Sequence, residues 1–380
     1  MTRLALHKLL LLLSLSASAL ANASAFEDAR QAYNMGDYVK ALEIAKPLAE
    51  QGSADAQGLL GHMYLYGTAI TRDTAEGFRL LSAAAQEGSR PAQRELGKCY
   101  TFGIGAEINA DQALKWCRKA DEQGDAEAAC LIGAAYAQGF GVTQDFGEAR
   151  TWYLKSDQRG FPPAAMQLGI LYFSGLGVEE NSEEGFKWAK KAADKQYPPA
   201  QWLVGLAYEL GDPVEQNFEE AYKYYVAAAE KDVAEAQFCL GCLLLNGSGV
   251  VADPAAAKQW IQKASDKGLL SAKCTLEWLS LNAQSTQEDY EHAMQLFQES
   301  AKQNCIYAFY FLGVMYGGGI GVTKDYQESE KWLKLATNGD FELATQALTL
   351  LGQDAQASAA LGAKPLTPQQ VRQLSIAVSR

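Results

Sequence analysis

Histidine is nearly missing from this chain, with three in 380 residues, one of them His7 near the start. The other two, His62 and His292, stand far apart, so no His-Glu-x-x-His zinc motif can be written. Gly-x-Ser-x-Gly, the P-loop and Ser-x-x-Lys are missing as well. Beyond the first 25 residues, no segment is apolar enough to span a bilayer. A basic surplus is also lacking: 33 Lys and Arg against 45 Asp and Glu leave a net charge of −12. Such a surface repels phosphate backbones and anionic headgroups. These gaps argue against an enzyme, a metal or cofactor site, and a nucleic-acid partner.

Cysteine is present but irregular. Seven occur, an odd number, at no common repeat position, which is no disulfide framework. Cys239-x-x-Cys242 lies in a helical pattern instead of following a strand, and no second pair stands near to complete a zinc site. Cys117 and Cys130 flank the turn at Gly124 almost symmetrically. Two readings stay open for them: a bridge across a helical hairpin, or buried free thiols.

What the chain has in abundance is a period. Gly61, Gly97, Gly133, Gly169, Gly205 and Gly241 recur every 36 residues, Gly313 falls two periods later, and Glu277 takes the skipped place. Alanines at 56, 92, 128, 164, 200, 236, 272, 308 and 344 keep the same interval. A period of this length marks a stacked helical array, in which each unit contacts mainly its neighbours.

Within residues 125–160, Leu131, Ile132 and Tyr136 define the apolar stripe of a first helix. Gly139-Phe140-Gly141-Val142 breaks it, and Asp145 opens a second helix carrying Ala149, Trp152 and Tyr153. Position 37 and every 36th residue after it is Asp or Asn, namely Asp37, Asp73, Asn109, Asp145, Asn181, Asn217, Asp253, Asp289 and Asp325. All nine are expected to be N-caps, and Glu76, Gln112, Glu148, Glu184, Glu220 and Glu328 have the spacing of a capping box. A glycine inside a first helix costs roughly 0.5–1 kcal/mol against alanine. Its recurrence predicts a helix crossing too close for a Cβ. The seventh repeat, with Glu277 and no glycine pair in its loop, is expected to pack more loosely.

The first 25 residues read as a cleaved secretory signal peptide. Arg3, His7 and Lys8 precede the apolar run Leu9–Leu15, and Ala19-Leu20-Ala21 and Ala23-Ser24-Ala25 offer cleavage sites without a lipid-accepting cysteine. The expected location is the periplasm or outside the cell.

The motif Ala308, Leu312-Gly313, Tyr316, Gly319-Ile320-Gly321-Val322, Asp325, Trp332 and Gly339 resembles the Sel-1-like repeat family, relatives of the tetratricopeptide repeats. The resemblance implies an all-α fold, a right-handed α-solenoid of about eight helix–turn–helix units over 53–340. Their expected boundaries are 53–88, 89–124, 125–160, 161–196, 197–232, 233–268, 269–304 and 305–340. A shorter tetratricopeptide-like pair (26–52) would precede them, with a capping helix (341–351) and a flexible linker with a short terminal helix (352–380) behind.

In tetratricopeptide arrays, residues two, six and nine places after the leading alanine line a concave groove. Carried over by resemblance, those offsets select Met166, Ile170, Phe173, Trp202, Leu206, Phe238, Leu245, Trp278 and Tyr310, with Arg94 and Lys98 at the other end. The expected function is an adaptor or scaffold of the bacterial cell envelope that binds a protein or peptide there. Two alternatives accompany it: penicillin-binding or β-lactamase activity, as assigned to cysteine-rich secreted relatives, and binding of a wall glycan.

Overall fold

The computed structural model describes residues 23–282, 284–337 and 342–353. The signal-peptide expectation therefore falls almost wholly outside the described residues, as does the terminal helix expected beyond Gln353. Two compact units divide the chain, residues 1–180 and 181–380.

The first unit holds α1 (23–34), α2 (Tyr38–Glu50), α3 (Ala54–Tyr66), α4 (Thr74–Gln86), α5 (Arg90–Phe102), α6 (Ala110–Glu122), α7 (Ala126–Gln138), α8 (Phe146–Gln158) and α9 (Pro162–Phe173). The second holds α10 (Ser182–Asp194), α11 (Pro198–Leu210), α12 (Phe218–Ala229), α13 (Ala234–Asn246), α14 (Pro254–Asp266), α15 (Leu270–Ser280), α16 (Gln287–Ala301), α17 (Ile306–Gly318), α18 (Tyr326–Thr337) and α19 (Glu342–Gln353). Inside each unit consecutive helices pack side by side, the architecture of an α-solenoid.

The glycines at 61, 97, 133, 205, 241 and 313 do what their cost implied. A Cβ on Gly97 would lie 2.5 Å from the Cys117 sulfur, and one on Gly133 would lie 2.7 Å from the Tyr153 ring. The facing residue sits 20 places further on and recurs with the period, as Leu81, Cys117, Tyr153, Tyr225, Ile261 and Leu333. Only a bare backbone lets the two helices of a pair approach so closely.

The loop glycines lock one pair to the next. Gly139 ends α7 in the left-handed conformation, at φ 70°, and Gly141 follows at φ 71°. A Cβ on Gly141 would meet the Ala110 side chain at 2.6 Å, at the start of the preceding second helix.

The capping expectation holds for Asp37, Asp73, Asn109, Asp145, Asn181, Asn217, Asp253 and Asp325, whose side chains accept backbone N–H groups of the first turn. Asp289 is a correction. Thr286 caps α16, and Asp289 sits three places inside as its capping-box partner. Without the glycine pair, the loop after α15 closes early: α15 ends at extended Leu281, and α16 begins sooner.

The glutamates three places after the caps are a second correction. Glu76, Glu184, Glu220 and Glu328 pair with Arg79, Lys187, Lys223 and Lys331 one turn on, at 2.7, 3.3, 2.6 and 3.1 Å. The Asp or Asn cap already holds the first-turn amides, so these carboxylates turn outward to a cation.

Candidate functional site

Of the nine apolar positions selected by offset, three are buried and six are half-buried. Phe238 and Tyr310 are sealed, at 0 % and 3 % exposure, and Leu206 is buried with them. Phe238 meets Tyr307 edge-on at 5.7 Å, and Tyr310 lies 5.5 Å from Phe311. Trp278 is half-buried and stacks on Phe311 at 4.9 Å, nearly parallel. Trp202 and Leu245 pack half-buried against the core that holds Cys239. Met166, Ile170 and Phe173 on α9 are half-buried as well. Leu206, Phe238 and Tyr310 are corrected to core residues. The other six keep part of their side chains open.

Arg94 and Lys98 behave differently. Both rise from α5 toward the start of α7 and keep about a quarter and a fifth of their side chains exposed, at 24% and 20%. The Arg94 guanidinium reaches Glu95 at 3.1 Å, Asp125 at 3.2 Å and Glu127 at 3.1 Å. Lys98 pairs with Glu95 at 3.1 Å and closely with Glu127. Three carboxylates thus face Arg94, Lys98 and the more distant Arg90, so charge is balanced inside the cluster.

This network joins an aromatic group on the preceding helices. The Tyr33 hydroxyl lies 3.1 Å from His62 Nδ1, and the rings meet edge-on at 5.6 Å. His62 in turn packs against Tyr66 at 4.6 Å. Burial holds the His62 imidazole below its usual value, with the Glu95, Lys98, Arg94 and Glu127 charges acting on it as well. Burial would raise the Glu95 carboxyl, but Lys98, Arg94 and His62 together hold it below the usual carboxylate value.

Tyr66 packs beside His62 on α3, and Phe102 lies one turn after Lys98 on α5. Each ends its first helix, ten places after the leading alanine, and each is largely exposed, at 49% and 61%. They occupy the same place one repeat apart. Reading the alanine offsets selected Arg94 and Lys98 but passed over His62, which stands six places after Ala56 as Lys98 stands after Ala92. Glu95, Asp125 and Glu127 lie off those offsets, and only the approach of α7 to α5 assembles them.

Cys99, Cys117 and Cys130 are poor nucleophiles in this setting. Cys117 and Cys130 are not bridged; Cys117 fills the crossing opposite Gly97, and burial pushes Cys99, Cys117 and Cys130 up to about 12. No group of His, Cys, Asp and Glu side chains able to hold a metal ion occurs among the described residues. No helix among them is long and apolar enough to cross a membrane.

Helix pairs, crossing glycines and locking loops at a strict period define a helical-repeat protein. The Sel1 repeat model matches residues 54–89, 90–125, 126–156, 162–197, 198–233, 234–269, 279–305 and 306–341, and the chain belongs to that family. Among solved structures, it is similar to a Sel1 repeat protein from Oxalobacter formigenes, with 30% identity and a TM-score of 0.57 over 64% of this chain and 99% of that one. It is also similar to c5321, a protective antigen of uropathogenic Escherichia coli with the same type of fold. There the identity is 25% and the TM-score 0.53, over 95% of this chain and 93% of the other. No curated protein matches the chain. Sel1-repeat proteins generally mediate protein–protein interaction.

Proposed function

We propose that the protein is a non-enzymatic adaptor of the bacterial cell envelope, exported by the leader at 1–25, that captures a protein segment on the first-helix face of its N-terminal repeats. The observation that carries this reading is the cluster of Arg94, Lys98, Glu127 and His62, partly exposed, ion-paired and flanked by exposed Tyr66 and Phe102. Side chains already held by mutual pairing lose little freedom when a partner docks, which favours binding. Exposed aromatics beside such a rim supply contact area.

The test is affinity capture from an envelope extract with the full mature chain. Tyr66→Ala with Phe102→Ala should reduce capture of the partner at least tenfold while the melting temperature stays within a degree or two. Capture unchanged by both substitutions would remove this face as the binding surface. Cell fractionation with mass determination of the mature N-terminus tests export: a full-length cytoplasmic product would overturn that part.

A further inference from the structure

Two groups that other repeats supply from within are missing where α12, α13 and α14 meet. Between α6 and α8, the buried carboxylate of Asp121 is held by Lys155 at 2.7 Å and Arg159 at 2.6 Å. Lys155 also lies over the Trp152 ring, at 4.5 Å. Three repeats further on, the same places are taken by Ala229, Lys263 and Lys267, with Trp260 for Trp152. Lys263 keeps the ring contact, at 3.9 Å, but Ala229 brings it no carboxylate. Lys267 pairs with Asp232 at 3.3 Å, at the surface, where such pairs contribute little.

The second missing group is a donor. Gln237 on α13 is 1% exposed, and its Nε2 donates to the Ala229 carbonyl at 3.1 Å and to Asp232 at 3.3 Å. Its buried Oε1 has no hydrogen-bond partner. Gln93 has the same place four repeats earlier and makes the same bond, from Nε2 to the Ala85 carbonyl at 3.2 Å. There Gln123 Nε2 donates to Gln93 Oε1 at 2.8 Å. Lys267 stands in the place of Gln123 and turns to Asp232 instead. An unmatched buried acceptor is costly, so the site is set for a donor from outside. A pocket of about 530 Å³ opens at this point, lined by Ala229, Gln237, Trp260, Lys263 and Lys267. Glu230, Asp232 and Asp266 complete its wall.

We propose that this pocket binds the carboxyl end of an amino acid or peptide, with the carboxylate between Lys263 and Lys267 and the nearest N–H on Gln237 Oε1. The carboxylate takes the part that Asp121 plays between α6 and α8, and the N–H takes the part of Gln123. A chain end fits both demands because its carboxylate and its last N–H are joined through a single carbon. Two ammonium groups on one carboxylate make charge-assisted bonds. Lys267 gives up Asp232 for the ligand at small loss, since that carboxylate is 75% exposed. Half-buried Trp260 supplies an apolar wall. Exposed Glu230 and Asp266 favour a lysine or arginine just before the end and repel an acidic residue there. The proposal concerns the second unit alone and does not depend on the adaptor reading.

The immobilised full chain is offered a library of N-acetylated tripeptides made twice, with free carboxyl ends and as terminal amides. Retained peptides are identified by mass. The free acids should be retained and the amides lost, with lysine or arginine enriched before the end. The best free acid is then titrated by calorimetry against wild type and variants. Ala229→Asp gives the lysines a carboxylate of their own, Lys267→Gln gives Gln237 its donor, and Lys263→Gln removes one cation. Each should weaken binding about tenfold or more, while the melting temperature of the first two holds or rises. Displacement of the peptide by free amino acids at equal concentration supports the site and assigns it to the smaller ligand; failure to displace assigns it to a peptide. Equal retention of acids and amides, retention of neither, or wild-type affinity in Lys263→Gln and Lys267→Gln overturns the proposal. The library result on wild type decides the question even if Ala229→Asp fails to fold.

Discussion

Tyr225 on α12 donates its hydroxyl hydrogen bond to Glu209 Oε2 on α11 at 2.6 Å, and both side chains are sealed at 0% exposure. The same tyrosine ring fills the crossing opposite Gly205, where a Cβ would come within 2.8 Å. One residue therefore closes a helix pair by shape and satisfies a buried carboxyl group by chemistry. Tyr225→Phe keeps the shape and removes the donor. It should cost about 2 kcal/mol, the usual loss when a hydrogen bond to a buried charged or polar group is cut. Urea unfolding of the variant against wild type measures this, and an unchanged midpoint would show that the bond contributes nothing.

Crossing glycines and turn glycines should fail for different reasons. Gly133→Ala drives a methyl group into the Tyr153 ring and is expected to cost about 1–3 kcal/mol through overpacking. Gly160 has open space around it, but its φ of 87° is left-handed, so Gly160→Ala should cost about 1–2 kcal/mol by backbone strain alone. Thermal melts of the two variants, each beside a double variant with Tyr153→Leu, separate the causes. Relief of only the Gly133→Ala penalty is the expected result.

Asp145 accepts from the N–H groups of Gly147 and Glu148 at 2.8 and 3.0 Å. Asp145→Ala should lower stability by about 1 kcal/mol, and Asp145→Asn by much less, because an amide oxygen can also accept. Denaturant midpoints for the pair provide the check.

Acidification should weaken the first unit in two stages. Burial lowers the folded His62 pKa, so the unfolded chain takes up a proton where the folded chain does not. Stability from this source is complete above about pH 6.5 and declines as pH falls toward the folded value. Glu95, held low in the fold, contributes stability above about pH 4.3 that is lost as pH falls through its folded value. Unfolding midpoints between pH 8 and pH 3.5 should show both stages. His62→Gln should flatten the upper one and Glu95→Gln the lower; a midpoint independent of pH would contradict both assignments.

Phe238 carries the correction to the groove. As a fully buried ring, Phe238→Ala should cost about 3–5 kcal/mol, so any loss of partner capture would track the loss of fold. A Phe238→Ala protein that melts like wild type would restore it as a surface residue.

The repeat, the crossing glycines and eight of the nine N-caps were legible in the sequence because they are local demands of the backbone. A glycine needed at a crossing or an Asp needed at a helix start leaves the same mark in every copy. Even the weak seventh repeat announced itself through Glu277, which pairs with His292 at 2.8 Å. Its N-cap was misread at Asp289 because a shortened loop shifts the start of α16, and loop length obeys no local code. The ion cluster was half visible: Arg94 and Lys98 follow the alanine offsets, whereas Glu95, Asp125 and Glu127 gain their role only when α7 approaches α5.

Periodicity is a property of the chain alone, so architecture could be read from residue order without any coordinates. Whether a given stripe on those helices faces solvent or a neighbour depends on the spacing between helices, which is set by the side chains packed at each crossing. That spacing buries Phe238 and Tyr310 and leaves Tyr66 and Phe102 open.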